Sequence, residues 1–187
     1  MKPMIASLLA MLAAGAVAAP QTYEIDSTHT YPSFEISHLG FSIQRGGFDK
    51  TSGTIVLDTE KKSGNVEIVI DTASIDTGLD KRDAHLRGED FFNTAQFPTA
   101  TFKSGKLKFS GDKLTAIDGE FTLLGVTKPL TLAVSNFKCG THPMSKKPWC
   151  GAEATGTLKR TDFGMSYGVP GVGDEVKLNI QVEAGLK

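Results

Sequence analysis

Three observations predict an all-β domain of antiparallel strands with one short helical insert near residues 78–97. Short runs of alternating apolar and polar residues recur from Tyr23 to the end of the chain. Turn chemistry rich in glycine, asparagine and aspartate separates the runs. Only the stretch from Thr77 to Pro98 breaks the alternation. Period two with one apolar face is the mark of an antiparallel sheet buried on one side. About eight strands of this kind close into an up-and-down barrel or stack as a two-sheet sandwich, and periodicity does not choose between the two.

The chain opens Met1-Lys2, continues apolar from Met4 to Ala14 and offers Ala16-Val17-Ala18. A positive start, a short apolar run and a small-x-small site make residues 1–18 a secretory signal peptide, which implies export. The apolar run is too short to span a bilayer, so the mature chain, residues 19–187, is read as one domain without an integral membrane segment.

Phe34 and Ile36 form the first clear alternating run, followed by Ile55 with Leu57, then Val66, Ile68 and Ile70. Phe121 with Leu123 and Leu130, Leu132 and Val134 continue the pattern; Val176, Leu178, Ile180, Val182 and Ala184 end it. Turns are expected at Lys62-Ser-Gly-Asn65, Ser110-Gly-Asp-Lys113 and Leu124-Gly-Val-Thr-Lys-Pro129. The alternation slips by one residue between Phe102 and Leu107, with Gly105 in the gap, as a β-bulge would cause; Gly46-Gly47 suggests another.

The insert reads as a helix over about 78–87. Thr77 is placed to cap its first turn, Asp83 and Arg87 are spaced for an ion pair, and Gly88 marks the stop. A further turn carries Glu89, Asp90, Phe91, Phe92 and Phe97. So short a helix needs a surface to lie on, which places it across one end of the strands.

A net charge of −1 gives no electrostatic reason to expect nucleic acid. Cys139 and Cys150 lie close in sequence, and in an oxidising compartment such a pair forms a disulfide. Cys139, His142 and Cys150 also permit a metal or redox site, although zinc wants a fourth ligand. No nucleophile elbow, phosphate loop or zinc-protease helix is present, and the glycines from Gly168 to Gly173 have the wrong spacing for a dinucleotide fingerprint. His85 with Asp83 or Asp90 is the one arrangement that suggests a general base, and would suit an envelope enzyme acting on a lipid. No catalytic residue, metal ligand or cofactor is assigned.

The phenylalanines point to a binding role instead. Three come from the insert, among Arg82, Arg87, Glu89 and Asp90, a mixture that suits the mouth of a cavity. At Arg82-Asp-Ala-His85-Leu-Arg87, Asp90-Phe-Phe-Asn93 and Phe97-Pro98, the sequence resembles the YceI-like family of periplasmic polyisoprenoid-binding proteins. His38-Leu-Gly-Phe41, Gly47-Phe48, Gly125-Val-Thr-Lys-Pro129, Arg160-Thr-Asp-Phe-Gly164 and Asp174-Glu-Val176 extend the match over the mature chain. The resemblance implies a lipocalin-like antiparallel barrel and no enzymatic activity. It also implies an apolar lumen holding an isoprenoid such as a polyprenyl phosphate or a quinone tail. Candidate ligand contacts are then Phe34, Ile36, Phe41, Phe48, Ile68, Leu86, Phe91, Phe92, Phe97, Phe121, Leu123 and Leu132. Arg82 and Arg87 would face an anionic head group or lock the helix through Asp83 and Asp90. A homodimer is open on this reading, and the loop between Cys139 and Cys150 is a possible border of the mouth.

Overall fold

The computed structural model describes residues 19–187; the export signal read over residues 1–18 lies outside the described residues. Eleven strands occur in chain order: β1 (Gln21–Ile25), β2 (Ser33–His38), β3 (Ser42–Phe48), β4 (Thr51–Asp58), β5 (Ser63–Asp71), β6 (Ile75–Asp76), β7 (Thr99–Ser110), β8 (Lys113–Leu123), β9 (Val126–Thr141), β10 (Pro148–Lys159) and β11 (Val172–Leu186). Helix α1 (Asp80–Leu86) stands between β6 and β7.

The pairing resolves these into a simpler object. Strands β1 and β2 both lie along β11; β1 pairs with β4 and β2 with β3. In turn β4 pairs with β5 and β3 with β6. Each of β1/β2, β3/β4 and β5/β6 is therefore one wall strand interrupted part-way. The result is a closed antiparallel barrel of eight strands in up-and-down order, sealed where β11 meets β1 and β2. Closure removes the unpaired edges that a sandwich would leave.

The interruptions have local causes. Between β1 and β2, Asp26 accepts from the Thr28 amide at 2.9 Å, and Pro32, with no N–H to offer a ladder, precedes the resumed strand. Between β5 and β6, Asp71 caps the 3₁₀ turn Thr72–Ser74 by accepting from the Ala73 amide at 2.9 Å. The expected bulge at Gly105 is present, with a register shift between Lys103 and Lys106. Ser104 stabilises it, its hydroxyl accepting from the Lys106 amide at 3.0 Å.

Gly46-Gly47 is not a bulge: β2 and β3 pair without a break through Ser33–Gly47 and Phe34–Gly46. Gly46 serves packing instead, because a Cβ there would stand 2.7 Å from both Phe34 Cζ and the Thr77 methyl. The β8–β9 turn is tighter than expected. Leu124 and Gly125 both have positive φ, giving a two-residue hairpin with Leu123 opposite Val126. The β4–β5 turn falls just before Ser63, earlier than the Lys62–Asn65 cluster suggested, because Asp58 pairs with Ser63.

The helical insert is shorter than 78–87, and its anchoring differs from expectation. Leu79, not Thr77, occupies the cap position and makes no side-chain cap bond. The Thr77 amide and hydroxyl instead both donate to the buried Asp83 carboxylate. Arg87 does not pair with Asp83, whose oxygen is already taken. It donates to the carbonyls of Ala73 (2.8 Å) and Ile75 (2.9 Å), carbonyls bordering the short edge strand β6. The helix is thereby fastened to the wall at one end of the barrel.

Candidate functional site: a two-chambered lumen

Alternation along every wall strand turns one face inward, and the inward faces do not fill the barrel. A lower chamber of about 150 Å³ and an upper chamber of about 340 Å³ remain. Phe34, Phe48, Ile70, Phe121 and Leu178 line both, forming a waist between them. The waist is built of rings: Phe34 and Phe48 lie 6.2 Å apart, and Phe92 meets Phe48 edge-on at 5.4 Å.

The lower chamber is apolar. Ile68 and Leu132 line it as the alternation suggested, together with Ile55, Phe102, Ile117 and Ile180. Cys139 and Cys150 face each other across β9 and β10 and form a disulfide at this end of the barrel, remote from α1. The loop they enclose therefore does not border the mouth beside the helix. No free thiol remains among the described residues, which removes the metal reading of Cys139, His142 and Cys150. His142 Nδ1 is itself occupied, accepting from the Met144 and Ser145 amides.

The upper chamber differs in charge. Ile36, Leu86, Phe91, Phe92 and Leu123 supply its apolar wall. Arg45, Arg82 and Arg160 line it as well, with His38 and His85, and among the described residues no aspartate or glutamate does. Arg82 donates from Nε to Thr77 Oγ1 (2.7 Å), from Nη1 to Gln44 Oε1 (2.8 Å) and from Nη2 to the Thr77 carbonyl (2.6 Å). Arg160 is buried and donates to the carbonyls of Gly173 (2.8 Å), Met165 (3.1 Å) and Val172 (3.0 Å), holding the β10–β11 loop. Burial lowers the Arg160 pKa from its ordinary value, partly offset by the Asp174 carboxylate. Arg82 and Arg160 are thus positioned by neutral acceptors and present their charge to the chamber, whereas Arg45 is exposed and donates to Glu35 Oε1 at 3.1 Å.

Three sequence-derived contacts stand outside both chambers. Phe41 is 90% exposed at the β2–β3 turn. Phe97 lies against the β8–β9 turn, with its ring edge 3.1 Å from where a Gly125 Cβ would be. Arg87 is turned toward β6. Conversely, Arg160, Arg45 and Tyr167 were missed as lining residues. Arg160 lies in the Arg160-Thr-Asp-Phe-Gly164 stretch, but sequence alone gave no sign that its side chain turns inward.

Two other polar clusters involve histidines. His85 Nε2 lies 3.7 Å from Asp90 Oδ2, and both side chains are more than half exposed at the rim. Donor atoms of Asp26, His29 and Glu183 lie within 4.8 Å of one another, the spacing of a metal site. Within the fold, however, His29 bonds Asp26 at 2.7 Å and Trp149 Nε1 donates to Glu183 at 2.9 Å.

The YceI-like domain model matches residues 23–184, from the first strand to the last. The chain belongs to the YceI-like family. Protein YceI of Escherichia coli O6:H1 is 41% identical over 175 residues, covering 92% of this chain and 91% of that protein. The Campylobacter jejuni YCEI protein superposes with a TM-score of 0.70 at 29% identity, covering 81% of this chain and 90% of that one. A polyisoprenoid binding domain from Saccharophagus degradans, implicated in plant cell wall breakdown, has the same fold (TM-score 0.69, 20% identity, 89% and 99% coverage). The family match thus spans the barrel strands and the segment that carries α1.

Proposed function

We propose that this YceI-like barrel is a periplasmic carrier that holds an isoprenoid lipid in its lumen, tail in the lower chamber and anionic head group among the arginines of the upper one. The observation that carries this reading is the division of the lumen: apolar below the phenylalanine waist, and above it apolar but lined also by Arg82 and Arg160, whose hydrogen bonds go to neutral acceptors. The polyisoprenoid binding named for the Saccharophagus degradans domain supports the choice of tail. The disulfide and the leader-like residues 1–18 support export.

The energetics suit a binder. At about 0.8 kcal/mol per buried CH₂, one five-carbon isoprene unit contributes roughly 3–4 kcal/mol before ordering and association costs. A few units therefore reach micromolar affinity without one directed hydrogen bond. Selectivity then follows from the girth of the waist and the length of the lumen. The exposed His85–Asp90 pair is not set against a nucleophile, and binding without turnover is the simpler reading.

Extraction of protein purified from the periplasm with organic solvent, followed by mass spectrometry, tests the proposal. An isoprenoid recovered in stoichiometric amount is the expected result. An empty protein that also fails to take up added farnesyl phosphate would overturn it.

A further inference from the structure

Eight large apolar side chains stand exposed among the described residues, and six of them lie on three segments around one opening. Leu39 and Phe41 come from the β2–β3 turn, Ile43 from the start of β3, Leu79 from the cap of α1, and Tyr167 and Val169 from the β10–β11 loop. The segments form a ring. The Leu39 amide donates to the Gly171 carbonyl at 2.7 Å, the Tyr167 and His85 rings meet at 5.6 Å, and Arg82 reaches Gln44 at 2.8 Å. Inside that ring is the upper chamber, to which Gln44, Arg82, His85 and Tyr167 all contribute lining.

Two of the ring's three segments lack charge, while Asp80 and Lys81 follow Leu79 at the third. Residues 39–44 and 164–173 contain no charged side chain, in a chain of which 22% is charged. A protein–protein interface is normally edged by a polar rim. Here Phe41, at 90% the most exposed of the ring's apolar residues, stands at its edge, and Arg82 and Arg160 line the chamber within. Exposed Phe, Tyr, Leu and Ile on largely uncharged segments, backed by arginine, match the order of a bilayer surface, in which phosphates border the acyl boundary.

We propose that this ring is a bilayer-docking surface, which seats the chamber mouth at the boundary between head groups and acyl chains. Phe41 and Leu39 enter the boundary first, and a chain then passes between membrane and lumen without crossing water. The purpose of the contact rests on the isoprenoid reading given above; its geometry does not.

The test is co-sedimentation of the full mature chain with phosphatidylethanolamine–phosphatidylglycerol vesicles that contain no isoprenoid, alongside uptake of farnesol delivered from ethanol. Wild-type protein is expected to sediment with the vesicles. Phe41→Asp, at a position outside both chambers, is expected to partition about tenfold or more weakly, with farnesol uptake unchanged. Wild-type protein that stays in the supernatant overturns the proposal, as does F41D sedimenting like wild type. If light scattering shows wild-type dimers that F41D abolishes, with no vesicle binding in either, the ring covers a second copy and docking is wrong. Vesicle binding without farnesol uptake would instead sink the isoprenoid reading and leave docking standing.

Discussion

Arg82 on α1 donates from Nη1 to Gln44 Oε1 on β3 at 2.8 Å, tying the helix to the adjoining wall of the upper chamber. Its other two bonds go to Thr77, so none of its partners is a carboxylate. The same side chain therefore serves as a clasp and offers its charge to a ligand. Replacement by glutamine separates the two roles, because an amide can still bond a neutral acceptor but carries no charge. Arg82→Gln is expected to weaken farnesyl phosphate binding about tenfold or more, the size of a lost charge-assisted hydrogen bond. Farnesol affinity should change by less than about twofold on the same argument. Calorimetry with both ligands checks this; an equal loss for both would reduce Arg82 to a clasp.

The phenylalanine waist makes a separate prediction about length. A ligand that fits above the waist needs only the upper chamber, whereas a longer chain must pass Phe34, Phe48 and Phe121 into the lower one. Ala154 is buried on the lower wall. Ala154→Leu adds bulk there, at a strain cost of about 1–3 kcal/mol. The variant is expected to retain farnesol and to lose longer polyprenols when the two compete for uptake, as read by mass spectrometry of the extracted protein. Unchanged length preference would mean that the tail never enters the lower chamber.

Wall strands were legible because each needs only period two, and the run from Val176 to Ala184 delivers lining residues to both chambers as its alternation implies. The insert was legible as an element but not in its bonds. Thr77, Asp83 and Arg87 carry the right residue types for a cap and an ion pair, yet the carbonyls of Ala73 and Ile75 compete for Arg87. Sequence spacing does not reveal which backbone groups a neighbouring strand leaves unpaired. Phe41 illustrates the same limit from the other side: it was a candidate ligand contact, but it sits in the β2–β3 turn and is 90% exposed. Arg160 was missed because burial of an arginine depends on carbonyls gathered from residues 165–173, a tertiary arrangement.

The disulfide joins residues that already face each other across β9 and β10, with Cα atoms 4.1 Å apart. It lies at the end of the barrel away from α1, so its contribution is to the stability of the hairpin rather than to the mouth. The double variant Cys139→Ser/Cys150→Ser is expected to lose about 2–3 kcal/mol, the loop-entropy value for so short a ring. Isoprenoid affinity should be unaffected. Urea unfolding of the variant and of wild type under oxidising conditions measures the loss, which reductant should reproduce in wild type. A matching fall in ligand affinity would show that the two ends of the lumen are coupled.

His29 and Asp26 share a 2.7 Å bond where the β1–β2 wall strand is interrupted. Burial alone would push the Asp26 carboxyl up, but hydrogen bonds from Thr28 and His29 outweigh it and hold the group below its ordinary value. The same bond, followed by the charge of Asp26 and then that of Glu183, raises the His29 imidazole. The imidazolium contribution is thus full below the unfolded value of about 6.5 and is lost as pH rises through the higher folded value. The carboxylate contribution is full above the unfolded value of about 3.9 and is lost as pH falls through the lower folded one. The pair is therefore intact across mildly acidic pH and opens first on the alkaline side, by loss of the His29 proton. NMR titration of the His29 ring is expected to give a midpoint above the ordinary imidazole value in wild type. In Asp26→Asn the midpoint should fall most of the way back, with Glu183 retaining a small upward pull. An unshifted His29 in wild type, or one unmoved by the substitution, would show that the bond does not persist in solution.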